Sequence, residues 1–269
     1  MTRGLGLIWT MLCALLASQA ASQSIEDAID ARLLTGWRAT DGSHIAALQI
    51  DLAPGWNTYW RAPGDAGIPP FFDWYASENL QAVDVEWPSP TALKQGRHTT
   101  IGYEGQVILP LRIRPDTPGR PIQLAGEIEL GICRDICVPV RLDVSQALSP
   151  ASTRPDPAIV AALANRPYTA SEAGVGNVAC RLSPVSGGLK LTAEITMKPL
   201  AGSELVVVES SNPYLWIAPA TTRRVNDTLF AETVVQHVDG IGFALQRSNL
   251  RLTVLGQGIA VDVQGCRAG

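Results

Sequence analysis

The sequence predicts an all-β protein built from two tandem β-sandwich domains. Between residues 36 and 144, short apolar runs alternate with Pro, Gly and Asp at the spacing of a sandwich, and helix periodicity is weak there. The same texture resumes after Pro167. The 269 residues suffice for one large or two ordinary domains, and with 46% hydrophobic content each can bury a core.

The first twenty residues carry Arg3 as their only charge, then an apolar stretch over 5–17 and a small-x-small site at Ser18-Gln19-Ala20. This reads as a secretory signal peptide over 1–20. The stretch is shorter than the roughly 20 residues a membrane-crossing helix needs, and no later window qualifies. The mature chain is therefore expected to be soluble, without a membrane span. Leu12 before Cys13 argues against lipid attachment at that cysteine.

Residues 21–35, with Ile25, Ala28, Ile29 and Leu33, fit either an amphipathic turn or two or an entry strand. The strand candidates of the first domain (21–148) are 44–52, 83–87, 107–113, 122–130 and 138–144. Residues 149–167 form a Pro-rich linker, in which Asp156-Pro157 offers an N-cap and an N1 proline for a short helix to Ala164. The second domain (168–269) has strand candidates at 189–197, 204–209, 228–236, 250–255 and 259–263. The two halves show no sequence repeat.

Lys and Arg total 21 against 25 Asp and Glu, a net charge of -4. Loss of Arg3 with the signal leaves 20 basic residues against 25 acidic ones. Such a balance gives no phosphate-neutralising surface, so nucleic acid is not an expected partner. An acidic, exported, unanchored protein belongs in a bacterial periplasm.

Four cysteines remain after the signal: Cys133, Cys137, Cys180 and Cys266. Of the three possible pairings, spacing favours 133 with 137 and 180 with 266. In the chain-entropy model a five-residue loop yields about 2 kcal/mol and a loop of about 87 residues about 4.5 kcal/mol. The long bridge is thus a structural staple from the start of the second domain to its end. The short one gains little from closure. An extended chain separates positions i and i+4 by about 13 Å, whereas a disulfide needs Cα atoms about 4.4–6.8 Å apart, so the chain must turn sharply between them. A small ring at a strand end, with Asp135 beside it and Arg134 close enough to favour a thiolate, has the makings of a reversible dithiol; a hairpin-closing structural disulfide is the other reading. The histidines, His44, His98 and His237, show no metal-ligand spacing.

Other chemistry is not signalled. The sequence has no G-x-S-x-G, Walker loop or H-E-x-x-H. Glu127 and Glu129 alternate along a strand candidate as its solvated face, and Asp65 supports a turn.

A resemblance enters with the run from Pro54 through Gly55-Trp-Asn-Thr-Tyr59-Trp60 to Pro70, then Trp74, Ser77-Glu-Asn79, Trp87-Pro-Ser-Pro90, Gly102-Tyr103, Leu109-Pro-Leu111 and Cys133-Arg-Asp-Ile-Cys137-Val-Pro139. Together these resemble the amino-terminal periplasmic domain of DsbD-type protein-disulfide reductases, in its ScsB-like variant, over residues 35–145. The resemblance implies an immunoglobulin-like first sandwich. It implies that Cys133 and Cys137 are a redox pair passing electrons, without a cofactor, from a membrane thiol reductase of DsbD or CcdA type to a thioredoxin-like or disulfide-isomerase-like periplasmic protein.

It further implies Cys137 as the sulfur that joins the partner and Cys133 as the resolver. Tyr59 and Tyr103 become site-lining residues, with residues 93–102 as a candidate cap. Taken singly, Trp56, Tyr59, Trp60 and Trp74 read as core packing. Three residues separate the cysteines here, fewer than in some members. The chain ends at Gly269 without a membrane conduit or a thioredoxin-like domain, so the donor is expected to be a separate polypeptide. The second domain resembles the companion sandwich of ScsB-like proteins.

Two other functions compete. One is a non-enzymatic binding or assembly module with two inert disulfides. The other is copper handling, against which stands a mature chain holding a single methionine, Met197.

Overall fold

The structure, a computed structural model, describes residues 25–64, 66–96 and 98–269. The expected signal peptide, Cys13 and the turn at Asp65 lie outside the described residues. Among those described, no helix is long and apolar enough to cross a membrane.

A 3-10 turn (Ile25–Ala28) leads into β1 (Ile29–Arg38), so the described part of the stretch 21–35 is a short turn followed by a strand. The chain continues through β2 (His44–Leu52), β3 (Asn57–Tyr59), β4 (Phe71–Asp73), β5 (Ala82–Val85), β6 (Thr91–Gln95), β7 (His98–Glu104), β8 (Gln106–Arg114), β9 (Ile122–Cys133) and β10 (Cys137–Leu148). One sheet runs β1-β2-β8-β5 and the other β10-β9-β3-β7-β6, with β4 also on β9. Their apolar faces meet in one core, where Leu48, Leu109 and Leu111 from the first sheet join Ile128, Leu130 and Ile132 from the second. Along β9 burial alternates, the signature of a strand with one face in the core and one outside. On its outer face Glu129 pairs with Arg141 of β10 at 2.7 Å.

The linker helix α1 (Pro157–Ala164) is capped by Asp156, whose side chain accepts from the N–H groups of Ala158 and Ile159. It is not a free spacer. Ile159 is fully buried against Ile45 and Ala47, on the face of β2 turned away from the sandwich core. That docking explains why β2 is buried along nearly its whole length, where a strand with one wet face would alternate.

Beyond α1 come β11 (Tyr168–Thr169), β12 (Val178–Val185), β13 (Gly188–Thr196), β14 (Leu205–Ser210), β15 (Leu215–Ile217), β16 (Thr221–Val225), β17 (Thr228–His237), β18 (Leu250–Leu255), β19 (Ala260–Gln264) and β20 (Arg267–Ala268). They form sheets β11-β19-β18-β14 and β15-β17-β13-β12-β20, with β16 also on β17. Cys180 on β12 is bonded to Cys266, next to β20, and β12 and β20 run parallel side by side. On β14 the parity of the strand splits two cores. Val206 and Val208 face their own sandwich, while Leu205 and Val207, with Leu255 and Ala260, pack into the core of the first.

Candidate functional site: a cystine at a hairpin tip

Strands β9 and β10 form one antiparallel hairpin in which Cys133 and Cys137 stand directly opposite each other, joined by Arg134, Asp135 and Ile136. The three-residue turn brings their Cα atoms to 4.1 Å, and their sulfurs are bonded. The two cysteines differ sharply in exposure. Cys133, at the end of β9 where β3 covers it, is 3% exposed, whereas Cys137 opens the edge strand β10 and is exposed. Ile136 beside it is 66% exposed, an aliphatic side chain offered to solvent at the tip.

Strand parity decides what surrounds the sulfurs. Asn57 of β3 pairs with Cys133, and Thr58 pairs with Ile132. Side chains opposite each other share a face, so Asn57, Tyr59 and Cys133 point to one side of the sheet. Thr58 and Ile132 point to the other.

The Tyr59 ring extends over Gly131. A methyl group placed on Gly131 would come within 2.8 Å of that ring and 2.7 Å of Cβ of Ile68, so only glycine admits the tyrosine here. On the ring's opposite edge Gly67 does the same service, since a Cβ there would stand 3.0 Å from the ring. So boxed, Tyr59 is 2% exposed and its hydroxyl donates to Sγ of Cys137 at 3.1 Å. Burial raises the pKa of this hydroxyl above the ordinary tyrosine range, an effect partly offset by Gln95.

Gln95, at the end of β6, extends the polar contacts. Its Oε1 lies 3.4 Å from the Tyr59 hydroxyl, and its Nε2 donates to Oδ1 of Asn57 at 2.9 Å. Asn57 is buried, and its Nδ2 has no hydrogen-bond partner among the described residues. Sequence reading singled out neither Asn57 nor Gln95. The signal for Asn57 was available, because it lies two residues before Tyr59 on a strand. The candidate cap, 93–102, falls on strands β6 and β7, and Gln95 is what it brings to the tyrosine that touches the sulfur.

The other anticipated residues divide. Arg134 pairs with Asp135 at 3.1 Å and lies over the Trp56 ring at 5.1 Å, so this charge is held along the hairpin turn. Tyr103 is elsewhere: it pairs with Thr58, which puts it on the core face, and its buried hydroxyl donates to the carbonyl of Pro88 at 2.8 Å. Burial raises its pKa, with Arg61 working against it. As a site-lining residue Tyr103 is corrected to a core anchor, one strand position out of phase with the sulfurs. Among the described residues, no group of three or more His, Cys, Asp or Glu side chains is arranged to hold a metal ion.

The model of the family "Thiol:disulfide interchange protein DsbD, N-terminal" matches residues 30–149. Among solved structures, the N-terminal periplasmic domain of ScsB from Proteus mirabilis is similar at TM-score 0.68 and 22% identity, over 90% of this chain and 95% of that one. The reduced DsbD N-terminal domain of Neisseria meningitidis matches at TM-score 0.30 and 14% identity, over 48% of this chain and 90% of that one. No curated protein matches. Residues 30–149, the sandwich that carries the cystine, therefore form a DsbD N-terminal-like domain, and the chain as a whole has a fold similar to that of the ScsB N-terminal periplasmic domain.

Proposed function

We propose that the protein is a periplasmic thiol-disulfide interchange component whose exchanging pair is Cys133 and Cys137. The observation that carries this reading is the asymmetry of the cystine, with one sulfur on an exposed edge under a hydroxyl donor and its partner buried behind it.

In the reduced state the Cys137 thiolate attacks a sulfur of a partner disulfide, forming a mixed disulfide and expelling the partner's other sulfur as a thiolate, which takes up a proton. Cys133, losing its proton to solvent, then attacks Sγ of Cys137. The 133–137 bond forms and the partner leaves with both thiols, having gained two electrons and two protons. A membrane thiol reductase of DsbD or CcdA type returns the pair to the dithiol by the same exchange run in reverse. Acceptors are thioredoxin-like or disulfide-isomerase-like proteins. A thiolate is a better acceptor than a disulfide sulfur, so the Tyr59 hydroxyl stabilises Cys137 most in the state that attacks.

The test is a trap. With Cys133 replaced by Ser in the organism's own periplasm, partners should accumulate covalently on Cys137; with Cys137 replaced, far fewer should attach. Empty traps in both variants would overturn the proposal.

A further inference from the structure

We propose that Arg61 and Glu209 are positioning residues for the exchange at Cys137, through which the second sandwich holds Tyr59 against Cys137. The proposal rests on the redox reading above and gives the second sandwich its part in it.

Arg61 follows Tyr59 by two residues. Its Nε and Nη2 each donate to one carboxylate oxygen of Glu209 on β14, both at 2.9 Å, and its guanidinium lies 3.8 Å above the Trp60 ring. The two side chains are only 16% and 20% exposed. A paired fork with this little solvent fixes both partners in orientation as well as distance. This ion pair joins the two sandwiches.

The residues on either side of position 65, 61–64 and 66–69, face two ways. On one side Gly67 and Ile68 close around the Tyr59 ring. On the other, Ala62, Pro63, Gly64 and Pro69 form one wall of a cleft of about 660 Å³, whose opposite wall is β14 and β15 of the second sandwich. The backbone of this segment is tied to β7, where Pro63 accepts from the N–H of Ile101. Arg61 at its start is tied to Glu209. Loss of the Arg61–Glu209 anchor lets residues 61–64 shift toward the cleft, and the packing that seats Tyr59 beside Cys137 relaxes with it.

The experiment uses the intact chain with Arg61→Ala, Glu209→Ala, the double variant and Glu209→Gln. Three quantities are read: the rate at which dithiothreitol opens Cys133–Cys137, the pH profile of Cys137 alkylation after reduction, and the melting temperature. Each single alanine variant should open about threefold faster or more, and the double variant no faster than the faster single, because coupled partners are not additive. The alkylation profile should move to higher pH as the Tyr59 hydroxyl loses its seat. Glu209→Gln keeps the shape of the side chain and should lie between wild type and Glu209→Ala. A lower melting temperature with unchanged opening rate and profile overturns the proposal, as do additive effects in the double variant. These results differ from failure of the redox reading, in which the wild-type 133–137 bond itself would resist dithiothreitol as strongly as 180–266.

Discussion

The hydroxyl of Tyr59 lies 3.1 Å from Sγ of Cys137, and it is held there because the strand beneath the ring carries no side chain at Gly131. Tyr59→Phe keeps the ring and deletes the donor. A hydrogen bond to a charged acceptor contributes about 1.5–3 kcal/mol, so the Cys137 pKa should rise by about one unit or more. Iodoacetamide alkylation of the reduced protein across pH reads this directly, and a profile unchanged from wild type would contradict a bond to the thiolate.

Gly131→Ala should both destabilise the protein and disturb the cystine. The added methyl must push aside Tyr59 and Ile68, and such overpacking costs about 1–3 kcal/mol. Urea unfolding gives the loss of stability, and tyrosine fluorescence near the cystine reports the displaced ring. Gly131 is not in a left-handed conformation, so the effect is one of contact alone.

The two disulfides should separate on stability. Replacing Cys180 and Cys266 by Ala opens a long loop and should cost about 4 kcal/mol, whereas the same change at 133 and 137 should cost about 2 kcal/mol or less. Paired denaturation curves decide it; equal losses would contradict the division of roles.

His44 makes stability pH-dependent on the acid side. Its Nε2 meets the carbonyl of Thr35 at 2.6 Å, while Nδ1 is buried without a partner among the described residues. Burial lowers its pKa, the Thr35 bond opposes that, and Arg38 adds to the lowering. The unfolded chain therefore binds a proton at higher pH than the folded one, and stability falls as pH drops through about 6.5, the ordinary histidine value. Melting temperatures between pH 7.5 and 5 should decline more steeply for wild type than for His44→Gln.

Much of this architecture is legible in the sequence, for reasons that differ by element. β2 shows the predicted bounds, 44–52, because both its faces are covered and the run is mostly apolar, with only His44, Gln49 and Asp51 polar. The Asp156-Pro157 signal gave the helix start because capping is local chemistry. Strands β3, β4, β6 and β7 are not legible in the sequence: they are short or polar, and the aromatic residues of β3, β4 and β7 equally suit loops. Tyr59 and Tyr103 carried the same motif weight, yet strand parity sends one to the sulfurs and the other to the core. That parity is fixed by pairing with β9 and β7, and no window of sequence contains it. Arg61 and Glu209, 148 positions apart, meet only because two sandwiches pack.

The borrowed packing at β14 has a consequence for how the molecule comes apart. Because Leu205, Val207, Leu255 and Ala260 complete a core that belongs to the other sandwich, neither half ends where its own sheets do. On heating, the halves should melt together in a single calorimetric peak. An amino-terminal fragment severed after residue 165 would keep its docked helix but bare an oily flank, and should self-associate where the whole chain does not.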